Sequence, residues 1–245
     1  MQYNLLERPI LLSENIEADG HVYEFLLNNH CDLHECSRLA FELQHGGGAD
    51  LPSVFEALIH DGRIVCTISD TDKNCPAAIN SKLAQLTRIR ENSGWPLCFA
   101  VSPPCREVEN LVPLELVMAL PSGKRNPTNA IQLTIRQQEA NQGHPRNEQY
   151  WHFFDLKEGL LTAKFARLDA MEKSWVRNRL QLARVDPESQ NVVGYGDRII
   201  RQIFGENQYM SELRKLTRDG SWRDVFCSFI EEFIWVFLST TKVVT

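Results

Sequence analysis

Residues 63–73 read RIVCTISDTDK, and this stretch decides the fold. Arg63–Ile68 is apolar and β-branched, with Asp61-Gly62 before it and Ser69-Asp70 after it, which is the pattern of a strand between turns. Working outward, Pro9–Ser13 (PILLS), Leu39–Leu43 and Leu97–Val101 are further short apolar runs. Segments of helical spacing separate them. Gly20–Asn29 carries Val22, Tyr23, Leu26 and Leu27, and Leu51–Ile59 carries Val54, Phe55 and Leu58. Ala77–Ile89 lies between the third and fourth runs, Asn110–Leu120 follows the fourth, and His45-Gly46-Gly47-Gly48 punctuates the chain after the second. Strands that alternate with helical segments of about 10–15 residues form a parallel sheet covered on both faces. The expected fold is therefore α/β, with a Rossmann-like parallel sheet.

After Pro121 the character changes. Pro121–Pro145 is polar and reads as a loop, and from Tyr150 onward the pattern is mainly helical: Leu160–Ala183, Asp197–Phe204, Met210–Leu216 and Trp222–Ser239. The expected division is a core over 1–121 and, over 122–245, a loop plus a mainly helical extension packed on it. The 245 residues fit one large domain or a domain with a sizeable addition. With 43% apolar and 24% charged residues the composition is that of a globular chain, and the net charge of −6 does not exclude a nucleic-acid partner, because local patches decide that. No apolar stretch of about 20 residues occurs. The start, MQYNLLERPI, lacks the basic head and apolar run of a secretory signal. Seven scattered cysteines without a C-x-x-C pair read as reduced thiols, so the expected location is cytoplasmic, with no membrane association.

In an open parallel sheet, ligands meet the carboxyl ends of the strands. Glu14 follows the first strand, Asp70 and Asp72 follow the third, and Glu107 and Glu109 follow the fourth. Carboxylates gathered at one sheet edge repel unless a cation lies among them, and all-oxygen ligands select Mg²⁺ or Mn²⁺ over zinc. The plain alternative is that each acid caps the helix that follows it.

This order of motifs resembles the Toprim fold: a strand ending in Glu (PILLSEN), a glycine turn after the second strand (QHGGGAD), and a strand ending in Asp-x-Asp. The segment PCREVENLVPLEL after the fourth strand is similar to that of the overcoming-lysogenization-defect (OLD) type nucleases and of stand-alone Toprim effectors of anti-phage defence, including those of PARIS systems. The resemblance covers about residues 8–120, with an echo at Phe154–Gly159. It implies a nuclease that hydrolyses phosphodiester bonds in tRNA, other RNA or DNA with two Mg²⁺ or Mn²⁺ ions, held in check by a separate ABC-type ATPase. Glu14 with Glu17 or Asp19 would hold one ion, and Asp70 and Asp72 with Glu109 the other, with Glu107 beside them. Lys157 would neutralise charge developing on the phosphorus. Asn15 stands where the family often has Gly, and Ala18 where it has a second acid. The rival expectation is a non-catalytic interaction module that keeps the architecture and regulates an ATPase, and Asn15 is the residue in its favour.

A nucleic-acid surface is locally basic. Ala163–Arg184 holds six basic residues against two acidic ones, among them Lys164, Arg167, Lys173 and Arg177, with Trp175 available to stack on a base or to lie in the core. His30-Cys31-Asp32-Leu33-His34-Glu35-Cys36 crowds potential zinc ligands together, but a structural zinc site draws on two separated ligand pairs and the sequence offers no evident second one. Trp222–Leu238 is apolar nearly all round, so it belongs against the sheet or in an interface with a second copy or another partner.

Overall fold

The computed structural model describes residues 7–34, 39–218 and 220–238. Contacts divide the chain into two compact units, residues 1–71, 80–103 and 217–245 forming the first, and 72–79 and 104–216 the second.

The first unit is an α/β sheet. Strand β1 (Ile10–Ser13) leads through a turn at Ile16–Gly20 into α1 (His21–His34); β2 (Glu42–His45), α2 (Leu51–His60), β3 (Val65–Ile68), α3 (Ser81–Ser93) and β4 (Cys98–Val101) follow. All pairings are parallel, in the order β2-β1-β3-β4. Ile10 stands opposite both Glu42 and Val65, and Val65 opposite Cys98. Every residue of β1 and β3 is buried, as expected of central strands covered on both faces, whereas β2 (ELQH) is partly exposed at the edge. That exposure explains why the second strand begins three residues later than the apolar run Leu39–Leu43. Edge strands are not marked by hydropathy, and Leu39 and Phe41 are apolar for another reason: Leu39 bridges Leu238 and the Phe41 ring packs on Phe237. Ile10, Leu12, Phe55, Ile59, Val65 and Leu86 lie in one apolar core.

The second unit is mainly helical. A 3-10 turn (Val108–Leu111) precedes α4 (Leu114–Ala119) and α5 (Thr128–Asn141); a further turn (Tyr150–Phe153) leads to β5 (Gly159–Leu160), α6 (Thr162–Arg167) and α7 (Ala170–Gln181). Strand β6 (Val192–Val193) pairs antiparallel with β5, and α8 (Ile199–Gly205) and α9 (Asn207–Leu216) complete the unit. Helix α5 occupies the polar stretch expected to be a loop. Its buried face is Thr128, Gln132, Ile135 and Glu139, at true helical spacing but polar at all but one position, so hydropathy does not reveal it. The expected single helix Leu160–Ala183 is broken at Leu168. There Asp169 begins α7 with a capping box, accepting the Glu172 N–H at 2.8 Å while its own N–H reaches the Glu172 carboxylate at 3.2 Å.

Helix α10 (Gly220–Glu231) and a 3-10 turn (Ile234–Phe237) return to the first unit. Phe226, Phe229, Ile230, Phe233 and Phe237 are buried there, while Trp235 is half exposed with its ring edge-on to Phe99. The apolar C-terminal segment thus belongs largely to the core. No helix among the described residues is long and apolar enough to cross a membrane.

Glu139 is fully buried, accepts the Tyr150 N–H at 2.9 Å, and faces Arg179 Nε at 3.5 Å. Burial pushes its carboxyl up to about 7, with the Tyr150 N–H and Arg179 opposing. The folded chain therefore holds this proton more tightly than the unfolded chain does, so stability falls as pH rises from about 4.5 through about 7 and levels off above. Between pH 5 and 8 the native protein should lose about 2–3 kcal/mol that Glu139→Gln does not lose. Urea unfolding of the two proteins at both pH values checks this, and parallel pH curves would rule it out.

Candidate functional site

In the first unit the site begins at the carboxyl end of β1. The glycine turn after β2 wraps this strand end: the Gly46 N–H donates to Ser13 O at 2.7 Å and the Gly48 N–H to Glu14 O at 3.2 Å. A Cβ on Gly46 would lie 2.9 Å from Ser13 O and 2.2 Å from Leu51 Cδ1, so a side chain there would push β1 and β2 apart. Thus fixed, Glu14 directs Oε1 at Lys82 Nζ (2.6 Å) and accepts the Asp70 N–H (3.2 Å). Asp70 is half-buried. Asp19 turns back on the chain, its carboxylate accepting the Asn15 N–H at 3.1 Å, while Asn15 Oδ1 accepts the Glu17 N–H at 3.0 Å and leaves Glu17 exposed. Asp19 thus shapes this turn.

Lys82 was not anticipated, although a signal exists. It sits in the first turn of α3, where the helix dipole disfavours a cation, so a local carboxylate must hold it. Asn80 supports it by capping α3, accepting the Leu83 N–H at 2.9 Å and donating to Ser102 Oγ at 3.0 Å. Asn80→Ala should cost about 1–2 kcal/mol, read from the denaturation midpoint.

In the second unit Glu107 and Glu109 are both almost fully buried, and Lys157 Nζ lies 3.2 Å from one and 3.4 Å from the other. Arg106 Nε stands 3.3 Å from Glu107 Oε1, and its Nη2 3.6 Å from Asp155 Oδ2. Burial pushes the Glu107 carboxyl up; Lys157 and Arg106 pull against that, and Glu109 and Asp155 add repulsion. Asp155 is also pushed up by burial, but the Glu158 N–H, Lys164 and Arg106 together hold it below the ordinary range. Asn110 locks this turn in place, accepting the Glu107 N–H (3.0 Å) and donating to Trp151 O (2.7 Å) and Phe154 O (2.9 Å). Asp72 is exposed and has a left-handed backbone, φ 54°, rare for a residue other than Gly or Asn. Arg106 holds it there from both sides. Asp72 N–H donates to Arg106 O (3.0 Å), and Arg106 Nη1 donates to Asp72 O and to Asn74 Oδ1 (2.8 Å each). A small cleft in this unit has Asn74, Arg106, Phe153, Asp155 and Lys164 in its walls.

The structure thus brings Glu14 to the Asp70 backbone in one unit and gathers Glu107, Glu109 and Lys157 in the other. Comparison with protein-family models, with curated proteins and with solved structures finds no match.

A divalent cation can be tested against them. Glu107 Oε2 and Glu109 Oε2 are buried without a hydrogen bond, the former meeting Lys157 only as an ion pair. Buried carboxylate oxygens without hydrogen bonds, in an all-oxygen donor set, fit Mg²⁺ or Mn²⁺. The basic segment is less open than its composition suggests. Lys164 is held by Asp155 (2.9 Å) and Glu158 (2.6 Å), Arg177 by Glu188, and Arg179 is buried over the Trp175 ring at 5.1 Å. Trp175 packs on Tyr150 and Phe153, leaving Arg167 exposed and Lys173 half-buried. Besides Lys82, the sequence reading did not single out Arg106 and Asp155 as site residues; they earn that place through ion pairs with residues far along the chain.

Proposed function

We propose that this chain is a Mg²⁺- or Mn²⁺-dependent nuclease of the Toprim kind, acting on tRNA, other RNA or DNA in the cytoplasm as a defence effector governed by a separate ATPase. The observation that carries the proposal is the pair of buried carboxylates, Glu107 and Glu109, with oxygens unsatisfied by hydrogen bonds. They follow β4, just as Glu14 follows β1 and Asp70 and Asp72 follow β3. Carboxylates concentrated after parallel strands match the place where such sheets bind ligands.

Glu14 and Asp70 would hold a cation within the first unit, and Asp72, Glu107 and Glu109 would do so within the second. Bound there, Mg²⁺ or Mn²⁺ supplies activation of water and neutralisation of the leaving oxygen. The chain's own groups do the rest. The glycine turn fixes Glu14, Arg106 fixes the backbone of Asp72, and Lys157, paired with Glu107 and Glu109, would turn to a phosphate oxygen that gains charge.

One observation favours a second reading, a regulatory module without catalysis: Lys82 and Lys157 already balance Glu14, Glu107 and Glu109. The two readings part in a single experiment. Wild type and Asp70→Asn are incubated with total tRNA, single-stranded DNA or plasmid, each with Mg²⁺, Mn²⁺ or EDTA, and Mn²⁺ binding is followed by calorimetry. Cutting that needs the metal and fails in the variant supports the nuclease and names its substrate. Identical Mn²⁺ heats for both proteins, with no cutting even in cells carrying the partner ATPase, support the module.

A further inference from the structure

We infer that His30, His34, Cys227 and Glu231 bind one zinc ion that ties α1 to α10. His30 and His34 lie one turn apart on α1, and Cys227 and Glu231 one turn apart on α10, so each helix presents two donors on one face. The two helices pack together within the first unit. One donor atom from each of the four residues lies within 4.8 Å of the other three. A tetrahedral zinc with bonds of about 2.0–2.3 Å sets its donors about 3.3–3.8 Å apart, so closure by about 1 Å completes the site. Such movement is within reach of side chains at this surface, since His34 and Glu231 are exposed and Cys227 is half-buried.

The second ligand pair that the α1 sequence lacks is supplied by α10. Two imidazole nitrogens, a thiolate and a carboxylate form a borderline-soft set that suits zinc and does not suit Mg²⁺. The ion's two positive charges are balanced by the Cys227 thiolate and Glu231, the thiol proton passing to solvent as the metal binds. The two imidazole rings already lie side by side, 4.3 Å between centroids, an arrangement that costs repulsion if both are protonated and is natural around a shared metal. A small open pocket on the same seam has His30 and Cys227 in its walls. With four protein ligands the site is closed, so its role is structural. This inference does not depend on the nuclease reading.

The test uses the full chain, stripped with a chelator and titrated with Zn²⁺ against a chromogenic chelator and, separately, with Co²⁺. One equivalent of zinc should bind, raising Tm by roughly 5–10 °C at free zinc about 100-fold above Kd. Bound Co²⁺ should show the thiolate charge-transfer band and strong visible bands of a tetrahedral site. Cys227→Ser should lose that band, and His34→Ala/Glu231→Gln should lose at least about 100-fold in zinc affinity, since even groups behind the ligands are worth 10–100-fold. Cys31→Ser should keep both properties. The double variant changes only exposed side chains, so it reports on the site even if Cys227→Ser folds poorly. A thiolate band that persists in Cys227→Ser, a Co²⁺ spectrum without one, or equal zinc affinity in the double variant and wild type would overturn the assignment.

Discussion

Lys157→Met should lower the unfolding free energy by about 3–4 kcal/mol, and millimolar Mn²⁺ should restore most of that loss. Lys157 is the shared cation of two carboxylates that are about 94% shielded, and removing it leaves both charges buried against each other. Breaking a fully buried pair costs about 3–5 kcal/mol, and the value here is trimmed because Lys157 itself is about a third exposed to solvent. Arg106 Nε, 3.3 Å from Glu107 Oε1, compensates that carboxylate in part. The Glu107 carboxyl should then be pushed up further, because burial already raises it and the lysine that opposed burial is gone. The destabilisation of the variant should therefore shrink as pH falls and the carboxyl takes up its proton. Denaturation of both proteins at pH 6 and 8, with and without Mn²⁺, checks each point. If the two glutamates take up a divalent ion, Mn²⁺ should stabilise the variant more than wild type, since the competing ammonium group is absent. Equal Mn²⁺ responses would show that these glutamates are a structural ion pair only.

On the proposed nuclease reading, Glu14→Gln should reduce metal-dependent cleavage at least ~10³-fold, equivalent to about 4 kcal/mol of transition-state stabilisation, while leaving the fold intact. The amide keeps the shape of Glu14 and can still accept the Asp70 N–H, so the backbone at the end of β1 should hold. What is lost is the negative charge that faces Lys82 at 2.6 Å and that would hold a cation. Lys82→Met separates the two roles: it frees Glu14 without removing its charge. It should therefore tighten Mn²⁺ binding, whereas Glu14→Gln weakens it. Single-turnover cleavage and calorimetry on both variants measure the two effects. Full activity in Glu14→Gln would remove Glu14 from the chemistry.

The parts of the fold legible beforehand share a cause. β1 and β3 are central strands buried on both faces, so ILLS and VCTI are apolar throughout. α2 turns Leu51, Phe55, Leu58 and Ile59 inward, a helical stripe readable from hydropathy alone. β2 was misplaced because an edge strand keeps Glu42 and His45 in water, while the apolar Leu39 and Phe41 are spent on the C-terminal segment. α5 was missed because Gln132 and Glu139 fill positions where hydropathy looks for leucine. The break before α7 was readable, since Asp169 and Glu172 form a capping box with a sequence signature.

By itself the sequence determined the alternation of strand and helix, the acidic residues after β1, β3 and β4, and the glycines after β2. Each of these is a local property: burial sets the hydropathy of one element, and a left-handed or crowded backbone requires glycine at one position. Only the tertiary structure decided which lysine meets which carboxylate, that Arg106 holds Asp72, and that Cys227 and Glu231 stand beside His30 and His34. Those pairings join residues far apart in the chain through side chains whose reach spans several ångströms. No periodicity records them, because the energy of an ion pair or a metal site depends on separation in space.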